Sequence, residues 1–157
     1  EAATMTRTMV YSFSSAMDPS QFLEMLADNE FQYDLHYSAH RMKEFKIDQV
    51  MEDGHVLLRK TTTTPNLRLP KMLKFLVKGM ENAQRYTAQE IINLDQNTCV
   101  IDAVPHMLHH MGKISLKSKL MAVPSMEGCT VTLAFSIYTA MRVPLAGLVI
   151  EKFACQQ

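Results

Sequence analysis

Three of the six histidines, His106, His109 and His110, fall within one short stretch. Their i, i+3 and i, i+4 separations are those at which two imidazoles on a helical turn can share a metal ion. The set is incomplete, because no thiolate adjoins it and Asp102 is the nearest carboxylate. These histidines therefore read as polar rings in a loop with Met107, Leu108 and Met111, and no metal ligand is assigned. His36 and His40 bracket a second loop and have no partner evident from sequence. Asp48, Glu90 and Asp102 are the acids that fall inside alternating segments, and one of them turned inward would be available as a general base. Nucleophilic and phosphate chemistry have no foothold, since the chain has no G-x-S-x-G, no G-x-G-x-x-G, no P-loop and no H-E-x-x-H. Neither a catalytic residue nor a cofactor is assigned.

A physical rather than covalent activity is written into residues 67–79. Helical spacing gathers Leu69, Met72, Leu73, Leu76 and Val77 on one side and leaves Arg68, Lys71, Lys74 and Lys78 elsewhere, with Gly79 as a natural end. Such a helix can lie on an anionic membrane, where burial of each Leu-sized side chain contributes about 1.5 to 3 kcal/mol and each nearby cation about 1 kcal/mol. Arg68, Lys71, Met72, Lys74, Phe75 and Lys78 are the expected docking residues. The same pattern also suits a helix that faces its own core and leaves its lysines in water.

Composition narrows the field. Sixteen basic residues balance sixteen acidic ones, and the seven Phe and five Tyr are not interleaved with basic runs, which excludes a nucleic-acid surface of the usual kind. Cys99, Cys129 and Cys155 are odd in number and lack C-x-x-C spacing, which fits a reducing compartment. No apolar run approaches the roughly 20 residues of a membrane span. The expectation is a cytoplasmic, monomeric protein with a single domain over 5–157, residues 1–4 being a remnant ahead of it, and with peripheral membrane contact through 67–79. Thirteen methionines and no tryptophan point to adaptable apolar packing, either a loose pocket or a Met-rich core.

These residues must be positioned by strands. Arg7–Ser14 alternates, with Met9, Tyr11 and Phe13 on one face. Asp18 and Pro19 open a helix carrying Phe22, Leu23, Met25 and Leu26. Asn29 and Glu30 interrupt it, and Phe31, Leu35 and Tyr37 suggest a second short helix. Residues 41–50 and 55–64 flank the hairpin signal Glu52-Asp53-Gly54, and 85–94 and 98–104 flank Asp95-Gln96-Asn97. From Lys113 to Val123, Ile114, Leu116, Leu120 and Ala122 oppose Lys113, Lys117 and Lys119, an inner and an outer face. Met126-Glu127-Gly128-Cys129 turns into a last strand carrying Val131, Leu133, Phe135 and Ile137. At Val143 the period changes: Pro144 suits a first helical position, and Leu145, Leu148, Val149 and Phe153 form a stripe over one side. An α+β fold follows, a curved antiparallel sheet of about seven strands wrapped around a C-terminal helix, with two short helices after the first strand.

That order of elements, over nearly the whole chain, resembles the helix-grip (SRPBCC) superfamily of START, polyketide-cyclase and birch-pollen-allergen domains. More narrowly, Arg142-Val143-Pro144-Leu145-Ala146-Gly147 leading into Ile150-Glu151, with Leu69-Pro70 ahead of the middle helix, is similar to an uncharacterised START-like family and, more distantly, to mitochondrial intermembrane lipid-transfer domains. The chain departs from many such relatives in lacking tryptophan and in its brief last helix. The resemblance implies a hydrophobic ligand, lipid or sterol, held between sheet and C-terminal helix, and transfer of that ligand between membranes. Taken with the strand patterns, it places Tyr11, Phe13, Leu58, Ile92, Ile101, Leu116, Leu133, Phe135, Leu148 and Val149 around the ligand. A cavity of about 300 to 1,000 Å³ is the corresponding expectation. The alternatives are a cyclase- or hydratase-like enzyme of the same fold using a buried acid or histidine, and an interaction module without ligand.

Overall fold

The computed structural model describes residues 3–66, 71, 85–106 and 112–141. Seven strands form one curved antiparallel sheet: β1 (Ala3–Ser15), β2 (Glu44–Asp53), β3 (Val56–Thr64), β4 (Tyr86–Asn93), β5 (Thr98–Pro105), β6 (Gly112–Ser125) and β7 (Gly128–Met141). Their spatial order is β1-β7-β6-β5-β4-β3-β2, so a chain of hairpins runs from β2 to β7 and β1 closes against the last strand. Helices α1 (Pro19–Ala27) and α2 (Asn29–Asp34) connect β1 to β2. The C-terminal helix expected from Val143 and the basic helix expected over 67–79 lie outside the described residues, apart from Lys71, which is helical and exposed.

Local chemistry sets the helices. Asp18 caps α1 through its side chain, accepting from the Gln21 amide at 2.9 Å while Gln21 Oε1 accepts from the Asp18 amide, and Pro19 occupies the first turn. Asp28 then ends α1 and caps α2, accepting from the amides of Glu30 and Phe31. Asn29 and Glu30 are therefore the first residues of α2 and not an interruption, because a second capping aspartate restarts the helix at once. The chain continues into a π-helical turn, Leu35–Ala39, closed by the His40 amide on the Leu35 carbonyl at 2.9 Å. Arg41, at φ 51°, redirects the backbone, which is why β2 starts at Glu44 and not at residue 41.

Because β2 is an edge strand, its outward backbone groups need partners. The Tyr37 hydroxyl donates to the Phe45 carbonyl at 2.9 Å and accepts from the Phe45 amide at 3.0 Å, and the Tyr33 hydroxyl accepts from the Ile47 amide at 3.3 Å. Two tyrosines thus seal part of this edge.

The strand registers assign every side chain to a face. One row across the inner face runs Leu57, Ile92, Cys99, Leu120, Leu133 and Tyr11; the next runs Arg59, Glu90, Ile101, Ser118, Phe135 and Met9; a third runs Thr61, Ala88, Ala103, Leu116, Ile137 and, exposed at the sheet edge, Arg7. Helix α1 lies over the end of the sheet marked by the first row, where Phe22 and Leu23 pack with Leu57, Ile92, Cys99, Ala122, Cys129 and Val131 into the apolar core. The other end carries the site.

Candidate ligand cavity

The boundary between core and site is a buried ion pair. Arg59 and Glu90 face each other across β3 and β4, with Nε 2.6 Å from Oε2 and side chains only 1% and 10% exposed. Arg59 also reaches up to the helices: Nη1 donates to the Ala27 carbonyl and to Asn29 Oδ1, each at 3.1 Å, and Nη2 donates to the Leu26 carbonyl at 2.9 Å. The last turn of α1 has no basic residue of its own, and its carbonyls carry partial negative charge. A guanidinium supplied by the sheet answers them, while Gln32 Nε2 adds a second donor to the Leu26 carbonyl at 2.9 Å. Arg59 can be buried only because its donors are spread over a carboxylate, two helix-terminal carbonyls and an amide oxygen.

Beyond this pair the inner face opens into a cavity of about 260 Å³, lined by His36, Thr61, Thr63, Tyr86, Ala88, Glu90, Ile101, Ala103, Leu116, Ser118 and Phe135. The volume falls just under the expected range. Among the described lining residues, those of β5, β6 and β7 are apolar except Ser118, and those of β3, β4 and the π-helical turn are polar except Ala88. A second depression of about 350 Å³ on the outer face, bordered by Asp48, Lys60, Gln89 and Asp102, is a surface groove between solvated side chains.

His36 enters from the π turn. Its ring stacks on Phe45 with centroids 3.8 Å apart and planes 9° from parallel, and Nδ1 lies 2.8 Å from the Gln32 carbonyl. A carbonyl only accepts, so Nδ1 carries the proton and Nε2 holds the lone pair in the neutral ring. Burial depresses its pKa below the ordinary 6.5; the Gln32 carbonyl opposes this, and His40, whose ring lies 5.9 Å away, adds to it. Tyr86 is pushed above the ordinary tyrosine value by burial, eased by its hydrogen bond with Thr63. Under α1, burial and then the Glu90 carboxylate push the Cys99 thiol up to about 12, so it stays protonated and inert.

Of the expected ligand-lining residues, Ile101, Leu116 and Phe135 border the cavity, and Leu133 sits on the same face one row away. Ile92 is wholly buried in the core under α1 and does not reach the cavity, because the row it shares with Leu57 and Cys99 is covered by Leu23. Leu58 is corrected to the outer face: it pairs with Ile91, and Arg59 beside it takes the inward position. Tyr11 and Phe13 are on the inner face but remain about half exposed at the sheet edge, Phe13 resting against Phe22 with ring centroids 6.1 Å apart. Leu148 and Val149 lie outside the described residues, as do Arg68, Met72, Lys74, Phe75 and Lys78 of the expected docking helix.

Among the three strand acids only Glu90 turns inward. Asp102 pairs with Lys117 at 3.6 Å on the outer face. Asp48 sits at an irregularity in the β2–β3 register, beside Lys46 at 3.6 Å and accepting from Thr62 Oγ1 at 2.6 Å. His106 is exposed where β5 ends, its amide bound to the Arg85 carbonyl, and His109 and His110 lie outside the described residues. Among the described residues no group of three His, Cys, Asp or Glu is placed to hold a metal ion. His36, Thr61, Thr63 and Tyr86 were not foreseen as lining residues; alternation from Thr61 to Thr63 was the available signal for two of them, while the partners of His36 are set by the π turn alone.

No protein-family model matches the sequence, and no curated protein matches it. Solved structures do. A truncated norcoclaurine synthase from Thalictrum flavum aligns with a TM-score of 0.63 at 12% identity, over 98% of this chain and 86% of that one. The same enzyme in complex with dopamine and hydroxybenzaldehyde aligns at 0.58 and 11%, over 87% and 71%. Ara h 8.0201 aligns at 0.57 and 10%, over 97% and 90%. The chain has the helix-grip fold. At such identities the helix-grip likeness transfers architecture and no residue roles. No helix among the described residues is long and apolar enough to cross a membrane.

Proposed function

We propose that the protein binds a small, mainly apolar ligand, a lipid or sterol-like molecule, in the cavity of its inner sheet face. The observation that carries this is the division of the lining. Ile101, Ala103, Leu116 and Phe135 offer apolar surface, and Tyr86, Thr63 and Glu90 offer a few converging polar groups, the composition of small-molecule sites in general. Norcoclaurine synthase, solved with dopamine and hydroxybenzaldehyde, supports the reading by showing that a chain of this fold holds small organic molecules. Native mass spectrometry of protein purified from cells, beside an Ala103→Trp variant that fills the cavity, tests it. A released ligand in the parent and at least about a tenfold loss of rebinding in the folded variant are expected; equal rebinding would remove the cavity from consideration.

Membrane docking through Arg68, Lys71, Met72, Lys74, Phe75 and Lys78 belongs to the same proposal on the strength of the sequence pattern. Lys71→Glu with Lys74→Glu should leave the melting temperature nearly unchanged and weaken binding to anionic vesicles. Undiminished lipid extraction by that double variant would make the segment structural.

A second reading, a cyclase- or hydratase-like enzyme, is favoured by one observation: the Nε2 lone pair of a neutral His36 and the Glu90 carboxylate belong to groups lining one cavity. Turnover on such substrates that disappears in a folded His36→Gln variant would select it over carriage.

A further inference from the structure

We infer that the cavity selects an electrically neutral ligand bearing a hydroxyl group and discriminates against carboxylates, an inference that rests on the ligand-binding reading above. Among the described lining residues there is no lysine or arginine, and Glu90 is the one acid. Arg59 does not serve as a receptor for an anion. Its Nε is held by Glu90, Nη1 by Ala27 and Asn29, and Nη2 by Leu26, and the side chain is 1% exposed. It therefore balances the charge of Glu90 from behind while turning no open face to the cavity. His36 donates through Nδ1 to a carbonyl, and burial keeps its ring neutral at ordinary pH, so it supplies no cation either.

A carboxylate entering this space would lose its hydration and find no counter-charge among the described lining residues, Arg59 already being held by Glu90 and the end of α1. An ammonium would meet a carboxylate already neutralised by Arg59, with no second acid among the described lining residues to offset its desolvation. A hydroxyl suits what is present. Glu90 Oε2 accepts from Arg59, and a carboxylate has about four lone-pair sites, so acceptor capacity remains for a ligand O–H. Thr61, Thr63, Ser118 and Tyr86 carry hydroxyls that both donate and accept, which matches the two-way character of an alcohol. The apolar side made by Ile101, Ala103, Leu116 and Phe135 takes the hydrocarbon.

Three probes that differ only in head group test this on the intact chain: 1-octanol, octanoate and octylammonium, titrated by calorimetry at about pH 8, where the acid is anionic and the amine cationic. Octanol is expected to bind at least about tenfold more tightly than either ion. Octanoate or octylammonium within about threefold of octanol would overturn the neutral-ligand inference while leaving the cavity reading intact. Failure of all three, with no ligand carried from cells, would sink both. A Ser118→Lys variant, at a half-buried position where a flexible cation can be hydrated, should raise octanoate affinity at least about tenfold and so reverse the order. Tyr86→Phe, a smaller change that leaves the ion pair in place, should weaken octanol without helping octanoate. Unchanged selectivity in a folded Ser118→Lys protein would show that cavity charge does not set the choice.

Discussion

The residue that most shapes this molecule is Arg59, and its energetics are those of a charge that is tolerable only in company. Removing one partner of a buried pair leaves the other uncompensated, at about 3 to 5 kcal/mol. Arg59→Met and Glu90→Leu should each cost about that much in chemical denaturation. The double variant, which buries no orphan charge, should cost clearly less than their sum, giving a coupling of roughly 2 kcal/mol or more in a double-mutant cycle. Additive losses would mean that the two side chains act separately. His36 gives a second measurable effect. Its folded-state pKa is depressed by burial from the ordinary 6.5, with Glu90, Arg59 and His40 as the charged or titratable groups around it. As pH falls, the unfolded chain takes up this proton first. Stability should therefore decline on passing down through about 6.5, levelling once the folded ring is also protonated, with no contribution above that range. Subtracting the denaturation profile of His36→Gln should isolate this slope, and parallel profiles would show that the ring is not desolvated in solution.

At the scale of elements, turns and strand parity decide the architecture. Gly128 opens β7 at φ 138°, and a Cβ there would lie 2.6 and 2.7 Å from the carbonyl carbon and oxygen of Ala16 and collide with the Ser15 carbonyl oxygen. Gly54, in the β2–β3 hairpin at φ 59°, has open space around it. Gly128→Ala should consequently cost about 3 kcal/mol, combining backbone strain with steric overlap, against about 1 kcal/mol for Gly54→Ala; equal thermal shifts would contradict the close approach of β1 to that turn. Strand positions were legible because hairpin signals and alternation agree, and the first helix because Asp18, Pro19 and its apolar face agree. Facing was harder in β3. Val56, Leu57 and Leu58 are a continuous apolar run with no parity of their own, and the adjacent arginine argues for an outward Arg59 and an inward Leu58. The structure reverses both, because Glu90 and the end of α1, far away in sequence, neutralise the guanidinium. Glu90 was readable as an inward candidate only as one of three strand acids, since the feature that singles it out is that same arginine. The partners of His36, the Gln32 carbonyl and the Phe45 ring, depend on a π turn that no local pattern announces.

At the scale of the whole molecule, a sheet built from successive hairpins is closed by a strand that comes from the other end of the sequence. Thr8 and Ser136, whose side-chain oxygens lie 3.0 Å apart, are separated by 128 positions, and among the described strands β1 is hydrogen-bonded to β7 alone. Such non-local pairing forms late and slowly compared with a hairpin. Labelling of a cysteine introduced into β1, or brief proteolysis, of chains stalled just before Gly128 should find β1 accessible even though β2 to β6 have been synthesised, whereas chains released with β7 should protect it; protection in the stalled chains would require another partner for β1. On a ribosome adding about 5 to 20 residues per second, this means a wait of roughly 6 to 25 s between the synthesis of β1 and that of its mate. During that interval Met9, Tyr11 and Phe13 belong to an unpaired strand, the kind of segment that holding chaperones recognise, so the cell's chaperone capacity is expected to influence the yield of this protein more than its final stability does.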